Sequence, residues 1–160
     1  MRIMDPPLVR LMVTALLALK ALDDFFATTL TIAHRIGALG VAERLGRVTP
    51  GDDYRRLVPL MEAVPMWLHG LWVIAGILYL LAIASVVRRT GGAHILVLVA
   101  VGIELVALVV GRPIVAATGV VVNPNLGGLA DVVRFILPLL LALVLWQSGR
   151  RTSASIPASR

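Results

Sequence analysis

The chain is expected to be an all-α integral membrane protein, a four-helix bundle with a short amphipathic segment between its first two spans. Three observations predict this. Its 160 residues are 59% hydrophobic, too apolar for an ordinary soluble domain. Four apolar runs, about 8–36, 66–87, 93–111 and 129–147, approach or reach the length a helix needs to cross a bilayer, and Gly, Pro or Arg clusters separate them. The first run also carries its charges on one side only, and lipid cannot solvate such a side.

The first run begins with Asp5, Pro6 and Pro7, a capping residue followed by prolines where a missing N–H costs little. Its helical pattern lasts from Leu8 to about Ala38, roughly 45 Å, so the span must tilt or protrude. Lys20, Asp23, Asp24, Thr28, Thr31, His34 and Arg35 fall within an arc of roughly 140° on such a helix. Phe26 and Leu30 lie outside that arc. Residues 1–21 resemble a secretory signal, with Arg2 and Arg10 before an apolar core. Cleavage after Ala21 would put Leu19 at a position that wants a small residue, so a retained first helix is expected.

Gly37 to Pro65 is the one water-compatible stretch of any length. Thr49-Pro50-Gly51-Asp52 reads as a helix start, and Leu57, Leu60, Met61 and Val64 then repeat at spacings of three and four. A short helix lying on the bilayer surface is expected there. Met66 to Val87 has no charge and measures about 33 Å as a helix. Thr90-Gly91-Gly92 turns it into a third span from Ala93 to Gly111, interrupted only by Glu104. Arg112-Pro113 is expected to end or kink that helix, with an extension or a re-entrant piece after it. The fourth span, 129–147, holds Arg134 near its start and Pro138 inside, and 148–160 reads as a disordered tail.

Four spans put both termini on one side. The arginines divide seven and seven between the two sides, so their number does not orient the chain. The pairs Arg88-Arg89 and Arg150-Arg151 abut helix ends, and the opposite loop holds Glu43, Asp52, Asp53 and Glu62. Both termini are therefore expected in the cytoplasm. The Arg-over-Lys, Ala/Val/Leu-rich composition points to a bacterial inner membrane, with lipids and other membrane subunits, or further copies, as partners. The net charge of +6 does not imply nucleic acid, because no basic segment is interleaved with stacking aromatics. The absence of cysteine excludes disulfides, thiolate metal sites and thiol catalysis.

Two polar groupings could carry function. Lys20 can reach Asp23 at i+3 and Asp24 at i+4, and Glu104 stands at a similar depth. One lysine against three acids demands proton binding, a cation, or an arginine from elsewhere. Nearer the opposite face, His34, Arg35, His69, Arg112, Asp131 and Arg134 form a basic ring for an anion, a lipid headgroup or a quinone oxygen. His34 and His69, on two spans at one level, could also be axial ligands of a b-type haem. No other cofactor and no metal site is expected.

No phosphate loop, nucleophile elbow or zinc-protease motif occurs. The layout of four spans with a charged first helix is similar to that of the small DoxX-like membrane proteins, without a shared residue motif. The expected function is a non-enzymatic subunit or assembly partner of a larger membrane complex. The alternatives are a small proton- or cation-coupled carrier using Asp23, Asp24 and Glu104, and a haem- or quinone-binding membrane protein.

Overall fold

The computed structural model describes residues 7–47, 54–120 and 132–153, with side chains at 132, 133 and 149–153 left aside. Every regular element among the described residues is helical: α1 (Pro7–Arg35), α2 (Leu39–Gly46), α3 (Tyr54–Ala63), α4 (Met66–Val87), α5 (Ala93–Thr118), a π turn (Val132–Ile136) and α6 (Leu137–Ser153). Two of these helices, α4 and α5, are long and apolar enough to cross a membrane.

The helices pack in the order α1 on α4, α4 on α5 and α5 on α6. Their contacts run along seams spaced by threes and fours. On α5 the buried positions include Ala93, Val97, Ala100, Glu104, Ala107 and Gly111, and on α4 they include Leu68, Ala75, Tyr79, Ala82 and Val86. That spacing keeps one face of each helix turned to its neighbour, and the small residues let backbones come close. Gly76 is the tightest such place. A Cβ there would lie 3.1 Å from the Phe25 ring of α1, so only glycine fits without a shift.

The seam of α1 changes character along its length. Val13, Leu17 and Ala21 join the apolar core with Ala75, Tyr79, Val97 and Leu141, but Lys20, Asp24, Thr28 and Thr31 are buried on the same helix. The back of α1 is apolar and open, with Leu8, Leu11, Met12, Leu19 and Leu22 exposed. Leu30 departs from that back: it is buried with Leu57 and Met61 of α3 in a second cluster.

The helix ends follow from local chemistry. Gly37, with φ +75°, closes α1 through Ala38 N–H to the Ala33 carbonyl and Gly37 N–H to the His34 carbonyl. Such paired bonds need a left-handed residue, which glycine adopts without cost. At the end of α4 the same role falls to Arg89, with φ 57°. Thr90 N–H reaches the Ser85 carbonyl there, and the Ser85 hydroxyl bonds to the Thr90 hydroxyl.

Two elements differ from expectation: the segment between α1 and α4, and the chain end, where α6 continues helical through residues 148–153 that read as tail. The stretch between α1 and α4 forms two helices, not one: α2 was not anticipated, because Gly40 and Gly46 weaken its pattern, yet Ala42 is fully buried against the α1–α3 cluster. The Thr49–Asp52 start, the Asp5-Pro6 cap, the first residues of the expected fourth span and the tail after 153 lie outside the described residues. The extension expected beyond Gly111 is helical and continuous with α5. It continues through Pro113 to Thr118, where Gly119 (φ +68°) ends it. Proline removes one N–H donor but leaves the rest of the ladder intact, so a helix held by neighbours on both sides of it survives.

A buried charge cluster as the candidate functional site

The seams of α1, α4 and α5 bring four charged or hydroxylated residues to a common interior point. Lys20 and Asp24 come from α1, Tyr79 from α4 and Glu104 from α5, all at positions that elsewhere on the seam hold Ala, Val or Leu. Lys20 Nζ lies 2.8 Å from Glu104 Oε1, 3.5 Å from Asp24 Oδ1 and 4.0 Å from Asp23 Oδ2. Its ammonium also stands 5.6 Å from the centre of the Tyr79 ring, within reach of a cation–π attraction. Lys20, Asp24 and Glu104 are 5%, 3% and 2% exposed, so bulk water does not screen them.

Asp23 stands one step around α1 from Asp24 and therefore points outward. Its side chain is 56% exposed and is met by Arg134, whose Nη2 lies 3.4 Å away. Arg134 thus belongs with the charge cluster, not with the basic ring in which it was expected. Its placement has a local cause. Pro138 has no N–H for the Arg134 carbonyl and its ring crowds that carbonyl, and the chain answers with the wider π turn Val132–Ile136 before α6 begins. The two threonines of the stripe are satisfied within α1. Thr28 donates to the Asp24 carbonyl at 3.0 Å and Thr31 to the Ala27 carbonyl at 3.1 Å.

The remaining members of the expected basic ring have separate duties. Arg35 donates to the carbonyls of Met61 (2.8 and 3.0 Å), Glu62 (3.1 Å) and Val64 (2.6 Å). It caps the end of α3 and holds it against α1, with Nε and Nη2 committed to backbone oxygens. His34 shares a 2.7 Å hydrogen bond with the Tyr54 hydroxyl through Nδ1 and faces Glu62 Oε1 at 3.6 Å through Nε2. His34 Nδ1 is thus held by Tyr54, while Nε2 stands beyond hydrogen-bond distance of Glu62. His69 is 3% exposed, neither ring nitrogen has a hydrogen-bond partner among the described residues, and Trp72 meets it edge-on at 5.0 Å. Arg112 is exposed on α5. Asp131 lies outside the described residues, and with it the expected Asp131–Arg134 pair.

Sequence reasoning brought Lys20, Asp23, Asp24 and Glu104 together as a candidate group but missed Tyr79 and Arg134 as members. Tyr79 is fully buried, and a lone hydroxyl midway along an otherwise apolar run is the signal that could have found it. Among the described residues no three His, Asp or Glu side chains converge as a metal site. The chain matches no family model, no curated protein and no solved structure, so its own geometry carries the functional reading.

Proposed function

We propose that the chain is a four-span membrane bundle that serves as a non-enzymatic subunit of a larger membrane assembly in a bacterial inner membrane, with both termini cytoplasmic. The outer surface supports the bundle reading. Exposed Leu, Ile and Val residues run the length of α1, α4, α5 and α6, while the lysine and two of the carboxylates turn inward, the inverse of a water-soluble fold. The π turn and α6 together run unbroken from Val132 to Ser153, with Arg134–Ser148 as their apolar part, and α1 spans about 44 Å.

The observation that carries the subunit reading is the Asp23–Arg134 ion pair. It sits on the outer flank beside the buried cluster, with 56% and 38% of the two side chains exposed, and Leu19, Leu22 and Ile136 are exposed around it. Acyl chains cannot solvate an open ion pair at that depth, whereas a neighbouring transmembrane helix with a polar side chain can. The cluster at Lys20 is enclosed within the chain and meets no lipid.

The test is the mass of the particle extracted directly from native membranes into lipid nanodiscs. A complex of fixed composition is expected, and Asp23→Leu together with Arg134→Leu should release the chain from it without unfolding. A chain that is monomeric in native nanodiscs, and whose double variant behaves identically, overturns the reading.

A further inference from the structure

We infer that the space between Asp24, Tyr79 and Glu104 binds one small monovalent cation, either a proton or Na+, held by carboxylate and phenol oxygens. The first support is unused bonding capacity. Asp24 Oδ2, Glu104 Oε2 and the Tyr79 hydroxyl are buried without a hydrogen-bond partner among the described residues, while Glu104 Oε1 is taken by the Lys20 ammonium at 2.8 Å. The three free oxygens come from three different helices, α1, α5 and α4. Tyr79 is 0% exposed, so no water from the surface reaches its oxygen directly. Buried polar groups of this kind are normally satisfied, and three such oxygens on three helices make a donor set suited to a cation.

The second support is charge. The ionised groups in this interior are Lys20 and Asp24 on α1 and Glu104 on α5, while α4 contributes the neutral Tyr79, and Asp23 pairs outward with Arg134 from the π turn. One cation against two carboxylates leaves the interior one positive charge short. In a low-dielectric interior that deficit is costly, and one bound unit charge removes it. A divalent ion would overshoot neutrality and would sit beside the Lys20 ammonium. Lys20 cannot make up the shortfall itself, because it is already counted and its Nζ lies against Glu104 Oε1, leaving Asp24 Oδ2 bare. The site is enclosed within one chain, so its occupancy does not depend on the partner proposed at Asp23 and Arg134.

The full chain in lipid nanodiscs distinguishes the two cations. If the occupant is a proton, infrared difference spectra between mildly acid and mildly alkaline pH show a carboxylic-acid C=O band that Glu104→Gln or Asp24→Asn removes. In Tyr79→Phe, which keeps the packing, the same band shifts to higher frequency as the phenol contact is lost. If the occupant is Na+, the unfolding midpoint rises with Na+ against choline at equal ionic strength, and Tyr79→Phe weakens that rise. Absence of both the band and the Na+ effect in the folded wild-type chain overturns the inference.

Discussion

Removing the cation from the cluster should cost far more than removing one of its anions. Lys20→Leu takes the interior from one cation and two carboxylates to none and two, leaving Asp24 and Glu104 to face each other there. Glu104→Gln takes the same set to one and one, and the amide oxygen still accepts from Lys20. The gross attraction of Lys20 for Glu104 at 2.8 Å and for Asp24 at 3.5 Å is about 6 and 5 kcal/mol at an effective dielectric of about 20. Desolvation offsets much of that, and stranding a buried charge by deleting its partner costs roughly 3–5 kcal/mol in practice. Lys20→Leu should therefore lose about that much, and Glu104→Gln about 1 kcal/mol or less. The triple variant Lys20→Leu, Asp24→Leu, Glu104→Leu should recover most of the loss, since an apolar replacement of a buried ion cluster is commonly neutral or stabilising. Reversible unfolding by SDS in mixed micelles measures all three. Equal, small effects of the two single variants would refute the pairing argument, because they would mean that Lys20 reaches water or headgroups.

Other consequences are local. Gly76→Ala should destabilise by roughly 1–3 kcal/mol in the same assay, because its Cβ would meet the Phe25 ring, and Phe25→Leu should relieve it. Arg35→Ala should loosen α3 by roughly 1–2 kcal/mol, seen as faster amide hydrogen exchange over residues 54–63 with α4 unchanged. Arg35→Lys should not restore protection, since a single ammonium cannot bridge three carbonyls. Arg89→Gly should stabilise the α4–α5 turn by about 1 kcal/mol, because it relieves a left-handed non-glycine residue, and a raised SDS midpoint checks it.

The charge cluster was legible because helical periodicity alone puts Lys20 and Asp24 on one stripe, and depth along an apolar run puts Glu104 beside them. The seam Ala93-Val97-Ala100-Glu104-Ala107-Gly111 repeats the same information in the spacing of small residues. Arg134 was not legible. It reaches Asp23 through a π turn forced by Pro138, and no period connects a residue after a loop to one on the first helix. The basic ring dissolved for a similar reason. His34 and Arg35 look free along the chain, but the return of α3 brings Tyr54, Glu62 and three backbone carbonyls to them. Helix α2 was hidden by its glycines, which lower local propensity but not the burial of Ala42.

Which side of α1 faces lipid decides the account. The chain has no native cysteine, so single cysteines from Leu17 to Leu30 can each carry a spin label in nanodiscs. Oxygen accessibility should be high at Leu19 and Leu22 and low at Leu17, Ala21, Asp24 and Thr28, repeating with the helical period. High oxygen accessibility at Asp24 and Thr28, with Leu19 and Leu22 protected, would turn the helix around and contradict both the buried cluster and the cation it is proposed to hold.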